Sequence, residues 1–393
     1  MYCKYFYLFD SESRQKEIII LLLALMVAFT FISCDEPEAP HKHEFVSKFD
    51  SENHWLECSC KEKKDVVKHD LYTAEIKEDK VIIKCRDCEY STEDAIAKYV
   101  VINTEDELRT AFATTTDKTV ILNANIALSK SLLLTGKITL DLNGHEISAT
   151  PEFIKAAAVG SSLLYVYADD SKLIIDDSSL NKAGAVDSVK GNVEENLGFA
   201  IVLWPNDNKT ASLIINAGTF RAPDCAISGN GTHIWENATY VEINGGKIES
   251  TGGSAIYNPQ NGSVVINGGE FIGPETALEI RAGNLKITDG LFKSPAEAYA
   301  CKPNGSGGTV TGAAVAVSQH TTKLPINVEI LGGEFVGQKG IVKENPQNND
   351  AEAFAKVTVA VKGGKFNTNP GELVATGFKA VELSGAWVVS KAE

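Results

Sequence analysis

The chain has 393 residues, a formal net charge of −15 and an apolar fraction of 44%. That fraction suffices for a packed core, whereas the charge speaks against wrapping a phosphate backbone, because nucleic-acid affinity comes mostly from Lys and Arg. The five arginines, Arg14, Arg86, Arg109, Arg221 and Arg281, form no basic stripe, so no nucleic-acid partner is expected.

At the N-terminus, Lys4, Arg14 and Lys16 flank an unbroken apolar or small stretch from Ile18 to Ser33 that ends at Cys34. The stretch has the length of a signal-peptide core and is shorter than the roughly 20 apolar residues that span a bilayer. Phe31-Ile32-Ser33-Cys34 resembles a bacterial lipobox, in which a small residue precedes the cysteine that is diacylated and becomes the mature N-terminus. Phe31 departs from the usual leucine. The resemblance implies a lipoprotein signal peptide over residues 1–33, lipidation at Cys34, and membrane contact through the lipid anchor alone, each buried methylene contributing about 0.8 kcal/mol. Asp35-Glu36-Pro37-Glu38-Ala39-Pro40 completes a polar tether over 34–40. It is similar to the surface-export signal of some Gram-negative lipoproteins, which implies an outer-membrane anchor and display on the cell surface.

Residues 41–95 hold four of the six cysteines beyond Cys34 and four of the seven histidines. The segment is duplicated: His43 begins a run that reaches Cys58-Ser59-Cys60, and His69 begins one that reaches Cys85-Arg86-Asp87-Cys88, with 15 and 16 residues from histidine to first cysteine. Two close cysteine pairs on tight turns resemble the knuckles of a zinc ribbon. The ligand set this implies is Cys58, Cys60, Cys85 and Cys88, four thiolates around one structural zinc ion. Cys58-Ser59-Cys60 is tighter than the usual two-residue spacer. Two disulfides are the alternative, natural for an exported protein with even cysteines. The segment also resembles short Cys/His repeats near the N-termini of bacterial surface lipoproteins.

From about Tyr99 the pattern changes. Thr104 followed by Glu107 reads as a capping box, with Leu108, Ala111 and Phe112 on one face of a short helix that plugs the near end of a repeat array. Alternating apolar strands then recur with one ending: Asn216-Ala217-Gly218-Thr219-Phe220, Asn244-Gly245-Gly246-Lys247-Ile248, Asn267-Gly268-Gly269-Glu270-Phe271, Thr288-Asp289-Gly290-Leu291-Phe292, Leu331-Gly332-Gly333-Glu334-Phe335 and Lys362-Gly363-Gly364-Lys365-Phe366. The second glycines stand 28, 23, 21, 43 and 31 residues apart, and the long interval hides an extra coil or a loop around Pro303–Gly308. A second strand recurs between them at Ala200-Ile201, Ala226-Ile227, Ala255-Ile256, Ala277-Leu278, Ala316-Val317, Gly340-Ile341 and Ala380-Val381. Such periods mean stacked coils in which Phe220, Ile248, Phe271, Phe292, Phe335 and Phe366 form an inward ladder. The glycines serve sharp bends with positive φ, and Asn216, Asn244 and Asn267 are turn formers. Weaker early coils are read at Leu140-Asp141-Leu142 and Leu173-Ile174-Ile175-Asp176-Asp177.

Residues 96–393 resemble the pectate-lyase-like superfamily, which implies a right-handed parallel β-helix; the fold class expected is mainly β, with the helical cap in front. Enzymes of that superfamily cleave acidic polysaccharides with a calcium-binding carboxylate cluster and an arginine base, or with paired aspartates. Asp176-Asp177 lacks the companion motifs such chemistry would bring, and reads as a polar turn. Strand alternation instead projects Trp204, Tyr257, Glu279, Arg281 and His320 onto one outer face, where aromatics beside charges suit a sugar. The function expected is a non-catalytic surface lipoprotein that binds glycans or mediates adhesion, its partner a polysaccharide or cell-surface glycan. A polysaccharide lyase or hydrolase, and a structural stalk for protein partners, are the alternatives.

Overall fold

The structure, a computed structural model, describes residues 42–114, 118–154, 162–191, 197–301, 310–319 and 321–392. The expectations for the signal peptide, Cys34, the tether and His320 lie outside these residues. The chain divides into two compact units, residues up to Lys68 and residues from His69 onward. The division falls between the two Cys/His repeats. Among the described residues no helix is long and apolar enough to cross a membrane.

The first unit is an antiparallel meander of β1 (Phe45–Phe49), β2 (Asn53–Cys58) and β3 (Lys63–Lys68). Its side chains are mostly exposed, and Cys58 is the buried exception. The second unit opens with a meander of the same topology, β4 (Leu71–Ile76), β5 (Lys80–Cys85) and β6 (Ser91–Ala95). Here Val81 and Cys85 are buried. The duplication legible in sequence is thus a duplicated three-strand fold.

The rest of the second unit is mainly β, built on three long sheets of eight, ten and eleven strands whose neighbours in the coils pair in parallel. One coil shows the plan. Thr239–Ile243 lies in the ten-strand sheet, Lys247–Ser250 in the eleven-strand sheet and Ser254–Asn258 in the eight-strand sheet; Gly262–Ile266 then returns beside Thr239–Ile243. This is an arrangement consistent with a parallel β-helix. The coils stack their inward apolar side chains in rows from all three sheets. Ile175, Ile215, Ile243, Ile266, Ile287, Ile330 and Val361 pair rung to rung and are fully buried.

The phenylalanine ladder lies in the eleven-strand sheet. Phe220, Ile248, Phe271, Phe292, Phe335 and Phe366 pair in register and are each 0% exposed. The last four rings stack at centroid distances of 4.6, 5.0 and 4.5 Å, nearly parallel. Burying each ring contributes on the order of 1.5–3 kcal/mol, with stacking in addition. The bend before each rung needs glycine: Gly246 has φ +86°, and a Cβ there would sit 2.6 Å from the carbonyl oxygen of Gly218. Phe292 pairs directly with Phe335, so the 43-residue interval holds no additional coil, and the loop expected around Pro303–Gly308 lies outside the described residues.

Three expectations need correction. The second strand of that coil aligns Val315, not Val317, with Leu278 and Ile341, a slip of two residues. Ala380 and Val381 belong to no coil, because Phe378–Leu383 forms an antiparallel hairpin with Ala386–Lys391, which itself runs antiparallel to Lys365–Phe366. The asparagines bridge coils instead of closing their own turns: Asn244 Nδ2 donates to Asn216 Oδ1 and Asn267 Nδ2 to Asn244 Oδ1, both at 2.9 Å.

The expected cap is present as α1 (Glu105–Ala113). Thr104 and Glu107 exchange both bonds of the capping box, and Leu108, Ala111 and Phe112 are buried in the same core as the first coils. Asp177 is the structural turn residue that its sequence context suggests. It is buried, and its carboxylate accepts from the N–H groups of Gly144, Ser179 and Gly184 at 2.9, 3.1 and 2.5 Å.

Candidate metal groups and ligand cleft

Each meander carries the same three donors in the same places. The histidine precedes the first strand, the first cysteine ends the second strand, and the second cysteine lies in the turn beyond it. In the first unit the ligand atoms of His43, Cys58 and Cys60 lie within 4.8 Å of one another, and in the second unit so do those of His69, Cys85 and Cys88. These groups could hold a metal ion. The expected set of four cysteines on one ion includes no histidine, whereas the two cysteine pairs fall in two separate groups that each include histidine. Among the described cysteines no disulfide joins either pair, nor Cys225 to Cys301.

The local electrostatics favour thiolate. Cys58 is pulled down to about 6, chiefly by the backbone N–H of Cys60, with help from the Cys60 and His43 side chains. For Cys85 burial opposes ionisation most strongly, yet the Asp87 N–H, His69 and Cys88 together bring it to about 6. Cys60 and Cys88 are pushed up: the Glu62 N–H favours the Cys60 thiolate but the hydrogen bond with Cys58, burial and the Cys58 charge together outweigh it, while burial and Cys85 act on Cys88. One thiolate per pair is therefore ready at neutral pH, and a cation would secure the second. Ring contacts orient the histidines. His69 stacks on Tyr90 at 4.2 Å and His43 on Phe45 at 5.7 Å.

The second group is tied to its neighbouring coils through Arg86, which lies between the two cysteines. Its guanidinium donates to the carbonyls of Leu180 at 2.6 Å and Ser179 at 2.7 Å, and Nε donates to Asp70 at 2.9 Å. Ser178 adds a hydroxyl bond to Thr73 of β4 at 2.7 Å.

The expected sugar-binding strip is only partly available. Trp204, Tyr257, Glu279 and Arg281 do lie on the outer face of the eight-strand sheet, but Tyr257 is 8% exposed and Glu279 and Arg281 are 0%. The antiparallel pair Ala300–Cys301 and Val310–Thr311 covers this part of the face: Val310, Ala313, Ala316 and Val342 pack with Tyr299 and Cys301 beside it. Arg281 Nε donates to Glu279 Oε1 at 2.9 Å, and the guanidinium lies 5.4 Å from the Tyr257 ring centre. These groups are interior contacts, not a solvated surface. Glu344, which alternation had not singled out, stands next along this face, and burial followed by the charge of Glu279 pushes its carboxyl up.

Trp204 differs. It ends the strand Phe199–Trp204 half-buried, at a cleft of about 550 Å³ lined by Trp204, Pro205, Asn206, Asp207, Thr232 and His233. His233 meets the indole edge-on at 5.2 Å and contacts Trp235 at 5.4 Å; the Trp235 Nε1 in turn donates to Lys209 O at 2.8 Å. His233 is 4% exposed, and its buried Nδ1 has no hydrogen-bond partner among the described residues. Burial holds its pKa below the ordinary 6.5, against the pull of Asp207. His233 escapes the strand pattern because it lies in a loop between repeats, where alternation gives no signal. No protein-family model, curated protein or solved structure matches the chain.

Proposed function

We propose that this chain is an exported, outer-membrane lipoprotein, anchored through Cys34 and displayed on the cell surface, whose second unit binds glycans without cleaving them. Support for the anchor is the apolar stretch ending at Cys34 and the acidic tether after it. Three strands per coil and the glycine-aromatic ladder support a right-handed, pectate-lyase-like β-helix. The two Cys/His groups are read as holding structural zinc, since soft thiolates with imidazole suit a d¹⁰ ion without redox chemistry.

The observation that carries glycan binding is the Trp204 cleft. An indole in the lining suits stacking on a pyranose ring, and Asn206, Asp207, Thr232 and His233 line the same cleft with groups that can hydrogen-bond to hydroxyls. A panel of uronic-acid and neutral glycans tests it by calorimetry. Binding that weakens at least tenfold in Trp204→Ala supports the reading; new reducing ends or unsaturated-uronate absorbance would make the protein an enzyme instead. Absence of any binding would leave a structural stalk.

A further inference from the structure

We infer that the chain takes up two thiophilic divalent cations, one in each unit, at His43/Cys58/Cys60 and at His69/Cys85/Cys88. This rests on the zinc reading above and replaces one shared four-thiolate centre with two separate histidine-dithiolate centres.

The donor distances point this way first. The Sγ of Cys60 lies 3.5 Å from Nδ1 of His43, and the Sγ of Cys88 lies 3.5 Å from Nδ1 of His69. Sulfur at about 2.3 Å and nitrogen at about 2.05 Å from a tetrahedral zinc ion stand about 3.6 Å apart. Each histidine is thus already at coordination spacing from its own turn cysteine. Topology points the same way, because two copies of one meander place the same donors at the same three positions. A shared four-thiolate centre makes no use of the two imidazole nitrogens that stand 3.5 Å from the turn cysteines. Apolar support is also scarce: β1 and β3 of the first unit bury no side chain, so an ion joining the segment before β1 to the turn after β2 replaces the core that the unit lacks. In that unit Glu62 Oε2 also lies 3.0 Å from His43 Nδ1, a carboxylate beside the centre.

The test is a titration of the reduced full chain with Co²⁺, followed by thiolate-to-cobalt absorbance and competition with Zn²⁺. Saturation is expected at two equivalents. Cys60→Ser and Cys88→Ser should each halve the absorbance and the stoichiometry, and the double variant should abolish both; the centre retained in each single variant reports that its own unit still folds. One equivalent in the parent chain, lost in either single variant, would overturn the two-centre assignment while leaving zinc in place. No uptake after reduction, with Cys58–Cys60 and Cys85–Cys88 recovered as disulfides from the exported protein, would overturn both.

Discussion

Arg86 donates to the carbonyl of Leu180 across 94 positions of sequence, at 2.6 Å, from within the turn that holds Cys85 and Cys88. The guanidinium is 13% exposed, and its three bonds reach β4–β6 and the coil loop at once. Arg86→Ala should therefore cost about 1.5–3 kcal/mol, the range for hydrogen bonds to a charged group. Denaturant melts give the magnitude. Hydrogen exchange should show faster opening at residues 178–184 while the Ile243–Ile330 rungs stay protected.

Phe292 has a ring on either side, at 4.6 Å to Phe271 and 5.0 Å to Phe335. Truncation to alanine removes a fully buried ring from the middle of the stack and is expected to cost about 3–5 kcal/mol. Phe292→Leu should cost less. An unchanged melting midpoint in Phe292→Ala would contradict the ladder.

At Gly246, alanine meets two penalties together: a positive φ and a Cβ 2.6 Å from a carbonyl oxygen of the coil below. A loss of about 1–3 kcal/mol is expected, measured by chemical denaturation. Gly377 shares the positive φ, but a Cβ added there would meet nothing within 4 Å, so Gly377→Ala should show the conformational penalty alone and separate the two contributions.

The imidazole of His233 is held below its ordinary value by burial, so the neutral ring is favoured in the folded state. Its contribution to stability is complete above the ordinary 6.5 and declines as pH falls toward the lowered value, because the unfolded chain then binds the proton more readily. Glycan affinity, a property of the folded state, should hold through that interval and fall only as pH passes below the lowered value, where the folded imidazole itself takes up the proton. Calorimetry between about pH 7.5 and 5 on the parent chain and His233→Gln checks this, the variant losing the pH dependence.

The coils were legible because their signal is local: a glycine that only positive φ explains, followed two residues later by an inward aromatic. Register within the strand Ala313–Ser318 was not, since Ala-Ala-Val-Ala-Val-Ser keeps the same residues inward when shifted by two, and alternation has a period of two. Burial of Glu279 and Arg281 was equally hidden. Alternation places them correctly on the outer face, but the cover comes from a hairpin inserted later in the chain, between Phe292 and Ala313. His43 and His69 were visible in the repeated interval to the cysteines; the zinc-ribbon resemblance drew attention to sulfur alone.

The hairpin that closes the eleven-strand sheet bears on self-association. A stack of parallel rungs offers its last strand as a template on which another chain can add, and growth by that route produces fibres. Here the strand beside Lys365–Phe366 runs the opposite way, with Trp387 opposite Phe366, and its partner Phe378–Leu383 carries Lys379 and Glu382 at the outer margin. The outermost strand runs in the direction of the coils again, but it carries charge and Trp387 already stands opposite Phe366, so an incoming rung meets Lys379 and Glu382 at the margin and no uncovered Phe366 to stack on.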